Sequence, residues 1–171
     1  MANFRLWAPW RLAYIQAARG RNDGGSDECI FCSKPALGDD DEALIPYRGE
    51  RCFVMLNAFP YTNGHVMIAP YEHTADLTAL DDATSLELVK TTHRALAALA
   101  DTYSPDGYNV GLNLGEVAGA GVADHVHLHV VPRWSGDTNF MPIVADTRVM
   151  PQSLSDSQTA LRAAFSGKAS S

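Results

Sequence analysis

The 171-residue chain has few cysteines, few basic residues and no long apolar run, and each absence excludes a class of protein. Three cysteines, an odd number, argue against a disulfide framework. No apolar stretch reaches the roughly 20 residues of a transmembrane helix, and the first residues lack the charged-then-apolar order of a secretory signal. We therefore expect a cytoplasmic protein without membrane contact. A net charge of −7 disfavours binding to long nucleic acids.

The most informative feature that is present is a strict alternation of histidines with aliphatic residues at 125–130. In an extended strand, side chains alternate between the two faces, so His125, His127 and His129 should share one face. Histidine can act as an acid, a base, a nucleophile or a metal ligand near neutral pH. Three histidines on one face therefore predict the wall of an active site. The alternative, a polar strand face that happens to be rich in histidine, is less favoured.

The remaining patterns predict an α+β fold with an antiparallel sheet of about five strands. The helical periodicity of 81–103 predicts one long helix, with an apolar stripe for packing and with His93 in that stripe as a packing or subunit contact. A shorter helix is predicted at 153–166. We divide the chain into an aromatic arm and loop at 1–28, a main domain at 29–142 and an extension at 143–171 with a disordered tail. The predicted strands are 43–47, 51–56, 65–69, 108–114 and the histidine run.

The triple-histidine run, with Asn57 and His65 upstream, resembles the histidine triad (HIT) family of nucleotide hydrolases and transferases over about residues 29–134. The segment Arg133-Trp134-Ser135-Gly136-Asp137-Thr138-Asn139-Phe140 and the aromatic arm are similar to a narrower branch, which includes bacterial diadenosine tetraphosphate (AP4A) phosphorylases and related hydrolases. The resemblance implies a HIT-like fold, a homodimer and a dinucleoside polyphosphate or other adenine nucleotide as substrate. It implies no organic cofactor.

The same resemblance assigns roles to individual residues. His127 would attack the α-phosphorus and form a nucleotidyl-histidine, which water or inorganic phosphate then cleaves. His129 would contact the phosphate oxygens, and His65 would order the other imidazoles, unless it is satisfied by a local hydrogen bond. For substrate binding, the implied residues are Asn57 at the ribose, Asn113 and His129 at phosphate, and the backbone amides of Gly119, Gly121 and Val122. An ordinary turn asparagine at 57 and a plain tight turn at 115–121 are the alternatives.

Cys29-Ile30-Phe31-Cys32 has the spacing with which two thiolates share one metal ion. In a reducing compartment a structural zinc is favoured over a disulfide. The resemblance supplies His73 and His125 as the other ligands, and four protein ligands leave no open catalytic position. An empty, reduced cysteine pair is the alternative, and Cys52 is expected to be a buried residue without a metal.

Several functions remain open from the sequence. Phosphorolysis and hydrolysis of AP4A-like substrates are equally favoured, and hydrolysis of adenosine phosphoramidates or aminoacyl-adenylates is a close alternative. A nucleotide-binding module with vestigial catalysis and a metal-trafficking protein are alternatives of other classes. Products formed with and without inorganic phosphate would separate these activities.

Overall fold

A computed structural model describes residues 29–137 and 152–167, which belong to one compact unit. It contains a five-stranded antiparallel sheet and three α-helices, which confirms the α+β prediction. The arm at 1–28, residues 138–151 and most of the predicted tail lie outside the described residues. The domain boundaries proposed from the sequence therefore stay predictions.

The sheet places the histidine strand next to its centre. In chain order the strands are β1 (Tyr47–Arg48), β2 (Cys52–Leu56), β3 (Val66–Pro70), β4 (Gly107–Leu112) and β5 (Leu128–Arg133). Their spatial order is β1-β2-β3-β5-β4, with every neighbouring pair antiparallel. Every residue of β2 and β3 is buried, as expected for strands that are covered on both faces.

The helices are α1 (Ile30–Ala36), α2 (Asp82–Tyr103) and α3 (Leu154–Phe165). The limits predicted for α2 and α3 are confirmed within one or two residues, because each helix starts with a clear cap. The Asp81 side chain accepts a hydrogen bond from the Thr84 amide, and the Ser153 hydroxyl accepts one from the Asp156 amide. Helix α1 was not predicted, since seven residues that include Pro35 carry little helical signal. Within residues 29–137 and 152–167, no helix is both long and apolar enough to cross a bilayer.

The apolar stripe predicted for α2 is mostly the wrong face. Of its members, Leu96 and Tyr103 pack against the core, whereas the others are exposed: Leu86, Val89, His93 and Ala100. Leu86 and Val89 are 54% and 50% exposed. The face that packs on the sheet is made of smaller and hydroxyl-bearing residues: Thr84, Leu88, Thr91, Thr92, Ala95, Ala98 and Leu99. A threonine can be buried here when its own helix satisfies its hydroxyl, as Thr92 Oγ1 does by donating to the Leu88 carbonyl at 2.8 Å.

The first predicted strand is also too long. Residues 43–45 belong to a turn, in which Leu44 has a φ of 59° and the Ile45 amide donates to the Asp40 carbonyl. Only Tyr47 and Arg48 pair with β2. Ala43 and Ile45 are nevertheless buried, so their apolar character reflects packing under a turn and not strand pairing.

Candidate functional site

The three alternating histidines lie at the start of β5. His125 and His127 precede the strand, which begins at Leu128, while His129 lies within it and pairs with Gly111 of β4. Val126 between them is buried, and its amide donates to the Thr74 carbonyl at 2.7 Å. The imidazole rings of His127 and His129 meet edge to face, with centroids 4.9 Å apart. The structure thus brings together the two histidines expected at the reacting phosphate.

His127 is held in one tautomer. Its Nδ1 lies 2.8 Å from the His125 carbonyl oxygen, which can only accept, so Nδ1 carries the proton and Nε2 carries the lone pair. Burial lowers the pKa of His127, although its hydrogen bond to the carbonyl opposes the change. A neutral ring with a fixed lone pair is what nucleophilic attack requires.

A second chain of hydrogen bonds sets the tautomers of His65 and His129. The Tyr61 amide donates to His65 Nδ1 at 3.2 Å, so the proton of neutral His65 is on Nε2. That Nε2 lies 3.0 Å from His129 Nδ1 and donates to it. The proton of neutral His129 is therefore on its Nε2, where it can serve as a hydrogen-bond donor.

Two aromatic residues contact the histidines of the site, and neither contact was predicted from the sequence. The Phe31 ring is 1% exposed and stacks on His127 with centroids 4.6 Å apart. Tyr61 stacks on His65 at 5.0 Å. Both lie in loops or short helices far from the triad in sequence, and no periodic pattern marks them.

The loop between β4 and β5 contains three of the predicted substrate contacts. The Gly119 amide donates to the Glu116 carbonyl at 2.9 Å, and those of Ala118 and Ala120 donate to Gly115. Within the described part of the chain, no such backbone bond is found for the amides of Gly121 and Val122. Of the three predicted amides, those of Gly121 and Val122 are therefore the better candidates for binding an anion.

The two predicted asparagines flank the site, and their roles stay predictions. Asn57 Oδ1 accepts a hydrogen bond from the Phe59 amide at 2.9 Å, and its Nδ2 lies 3.4 Å from His65 Nδ1. It is therefore both a turn residue and a neighbour of the histidine network. Asn113 directly follows Leu112, which pairs with Leu128, so it lies at the same end of the sheet as the triad.

Cys29, Cys32, His73 and His125 form one cluster, whose candidate ligand atoms all lie within 4.8 Å of one another. Cys29 Sγ is 3.4 Å from His125 Nδ1, and Cys32 Sγ is 3.3 Å from His73 Nδ1. His125 Nε2 donates to the Pro70 carbonyl at 2.9 Å, which leaves Nδ1 unprotonated and directed at the thiols. Two sulfur and two imidazole donors in this arrangement fit a tetrahedral metal ion. Buried Cys52 lies outside the cluster, and burial raises the pKa of its thiol to about 12.

Comparisons with known proteins agree with this geometry. A family model of the HIT domain matches residues 40–136. An AP-4-A phosphorylase of Mycobacterium tuberculosis is 41% identical over 160 residues, which cover 92% of this chain and 82% of the relative. The protein named hit of Bacillus subtilis is 30% identical over 115 residues, or 67% of this chain and 77% of the relative.

A solved structure shares the fold as well. A zinc-bound histidine triad family protein from Mycobacterium smegmatis matches with a TM-score of 0.65 at 29% identity, over 83% of this chain and 96% of that chain. The family model covers more than half of the present chain, and its matched region includes all three triad histidines. The chain therefore belongs to the histidine triad (HIT) family.

Proposed function

We propose that this protein cleaves AP4A-like dinucleoside polyphosphates at the α-phosphate through a covalent nucleotidyl-His127 intermediate, with inorganic phosphate as the acceptor. The observation that carries the proposal is the buried, neutral His127, whose Nδ1 proton is fixed on the His125 carbonyl. The 41% identity with an AP-4-A phosphorylase over 92% of the chain supports the substrate and the acceptor.

In the first step, the Nε2 lone pair of His127 attacks the α-phosphorus. The bond from phosphorus to the bridging oxygen breaks, its electron pair leaves with that oxygen, and ATP departs from AP4A. Negative charge develops on the phosphoryl oxygens, where fixed donors stabilise it most. The Nε2 proton of His129 is one such donor, and the amides of Gly121 and Val122 are others.

In the second step, an oxygen of inorganic phosphate attacks the same phosphorus from the side that ATP left. The bond between phosphorus and His127 Nε2 breaks, its electrons return to the imidazole, and ADP is formed. Because the proton stays on Nδ1 throughout, where it is donated in a hydrogen bond to the His125 carbonyl, the ring returns to its starting tautomer. Water in place of phosphate would give AMP. We assign Asn57 to the ribose and Asn113 to phosphate.

We further propose that Cys29, Cys32, His73 and His125 hold a zinc ion. When bound, zinc would supply a tetrahedral cross-link between α1 and the start of β5, and four protein ligands leave no position for catalysis. Reduced thiolates are required for this site, which is consistent with a cytoplasmic protein. The zinc-bound relative supports the choice of metal.

We also propose a homodimer. Strand β4 lies at the edge of the sheet, and its central residue Val110 is 47% exposed. The outward face of α2 carries exposed Leu86 and Val89. An open strand edge and an apolar helix face are both surfaces that a second copy of the chain can cover.

The proposed function is tested by a product assay on AP4A with and without orthophosphate. We expect ADP and ATP to form with phosphate, and mass spectrometry of quenched enzyme to detect an AMP adduct on His127. His127→Ala should abolish turnover and adduct while nucleotide binding persists, whereas Glu50→Gln, at an exposed position outside the site and the proposed dimer surfaces, should match the wild type. AMP with ATP in both conditions would indicate a hydrolase. No turnover of AP4A, adenosine phosphoramidate or an aminoacyl-adenylate would indicate a binding module.

A further inference from the structure

We propose that Phe31 is a positioning residue that transmits the occupancy of the Cys29/Cys32/His73/His125 cluster to the imidazole of His127. The Phe31 ring is fully enclosed and touches both histidines. It stacks on His127 with an interplanar angle of 29° and centroids 4.6 Å apart, and it meets His125 at 5.2 Å. The inference rests on the proposed function only for the role of His127 as nucleophile.

Phe31 lies between the two cysteines in the first turn of α1. This turn has little stability of its own, because the helix is seven residues long and Cys29 at its N-cap makes no side-chain capping bond. The other end of α1 is held by Arg48, whose Nη2 donates to the Pro35 carbonyl at 3.0 Å. The position of the Phe31 ring therefore depends on whether a metal ion fixes the two sulfurs.

His125 provides a second connection between the cluster and the nucleophile. Its Nδ1 faces the thiols, its Nε2 donates to the Pro70 carbonyl, and its own carbonyl accepts a hydrogen bond from His127 Nδ1. A metal ion on Nδ1 would thus hold the residue that fixes the His127 tautomer. Phe31 fixes the plane of the His127 ring, and His125 fixes the position of its proton. Phe31 lies in the turn between two of the proposed metal ligands and His125 is itself one, so both constraints on His127 depend on the cluster.

The test compares Phe31→Leu with Phe53→Leu as a matched control. Both phenylalanines are buried in the same apolar cluster, but Phe53 stacks on Tyr71 and not on a triad histidine. Zinc content is measured for each protein, and the tautomer of each histidine is read from nitrogen-15 NMR of the imidazoles. This readout needs no substrate, so it stays informative even if the protein turns over none of the tested nucleotides.

We expect the zinc-loaded wild type to show His127 in the Nδ1–H form, with one zinc per chain. In zinc-loaded Phe31→Leu the ring loses the stack that aligns its Nδ1–H with the His125 carbonyl, so the ratio of the two tautomers should shift by about 2- to 12-fold, the effect of losing one aromatic stack. Phe53→Leu should leave the ratio unchanged. A wild-type ratio in Phe31→Leu, or an equal shift in Phe53→Leu, would overturn the inference.

Removal and return of zinc test the same coupling in the wild type, which covers the case in which Phe31→Leu does not fold. A chelator should shift or broaden the His127 resonances more than those of His65, and added zinc chloride should restore them. The chelated protein must keep its far-ultraviolet circular dichroism for the comparison. The coupling would be refuted if the His127 resonances did not change when zinc is removed or added, or if the wild type bound no zinc.

Discussion

At the scale of single residues, the site is organised by which nitrogen of each imidazole carries the proton. One backbone carbonyl fixes His127, and one backbone amide fixes His65, which in turn fixes His129. The carbonyl can only accept and the amide can only donate, so they fix the tautomers of His127 and His65, and the tautomer of His129 then follows from that of His65. The nucleophile and the donor to phosphate are thus preorganised by hydrogen bonds.

His65→Leu should slow adduct formation although His65 makes no contact with the reacting atom in the proposed mechanism. The substitution removes the hydrogen bond from His65 Nε2 to His129 Nδ1, and the loss of such a buried bond costs about 1–3 kcal/mol, or roughly 5- to 150-fold in rate. His65→Gln, whose amide can donate to the same nitrogen, should recover part of the loss. The measurement is the single-turnover rate of AMP–His127 formation. Equal rates for His65→Leu and the wild type would remove His65 from the mechanism.

The histidine face could be predicted from the sequence because a period of two needs only local extended backbone, even where no strand is paired. The Phe31 stack and the Tyr61 contacts could not, because they join segments that only the tertiary fold brings together. The cysteine spacing predicted two ligands, whereas His73 and His125 came from family resemblance. The structure then brings all four within reach of one ion.

At the scale of elements, the first and last residues of α2 could be predicted from the sequence, but the face that packs on the sheet could not. Caps act locally, so Asp81 and the left-handed Ser104 mark the ends directly. The inward face is chosen by fit to the sheet, and there alanine and threonine allow closer approach than leucine. The more apolar stripe of α2 is therefore the exposed one, and it determines the hydrophobic pattern in the sequence. The stripe that packs on the sheet is partly polar and gives a weaker pattern.

Gly64 is the point at which α2 approaches the loop between β2 and β3, and its substitution should destabilise the fold. Its φ is +74°, and a Cβ there would lie 2.7 Å from Tyr103 Cε2 and 2.9 Å from Leu99 Cδ2. The combined cost of the backbone conformation and the overpacking is about 2–4 kcal/mol. Urea unfolding of Gly64→Ala measures it. Gly107→Ala, with open space around its Cβ, is the control and should stay within about 0.5 kcal/mol of the wild type.

The turn that follows β5 depends on an ion pair, and its contribution should depend on pH. Arg133 forms two hydrogen bonds with Asp137, and this interaction lowers the pKa of the carboxyl group. A lowered folded pKa means that the stabilisation is present above the unfolded value of about 3.9 and is lost as the pH falls through the folded value. Asp137→Asn should therefore cost about 1–2 kcal/mol at pH 7 and progressively less towards pH 3.

Urea unfolding across this pH range provides the measurement for the turn. Glu50→Gln replaces an exposed carboxylate elsewhere and is the control. A constant difference between Asp137→Asn and the wild type from pH 7 to pH 3 would mean that the charge of Asp137 contributes nothing. The same pair belongs to the signature that resembles the AP4A branch, so this part of the signature has a structural role in addition to any role in substrate choice.

At the scale of the whole molecule, the proposed dimer explains why the apolar stripe of α2 faces outward. Leu86→Glu places a charge on that face, and Val110→Lys places one on the open edge strand. In a dimer that buries these side chains, each unpaired charge would be desolvated, so both variants should be monomers. Multi-angle light scattering should give twice the 18.5 kDa chain mass for the wild type and once that mass for the variants.

The matched control for the dimer is Leu37→Glu, because Leu37 is 49% exposed but follows α1 and lies on neither surface. It should remain dimeric. A monomeric wild type, or a dimer that all three substitutions leave intact, would contradict the proposed interface. Since β4 pairs directly with β5, the strand that carries His129, a dimer formed at this edge would also stabilise β5. Loss of the dimer should then lower the rate of adduct formation together with stability, whereas an unrelated interface would leave that rate unchanged.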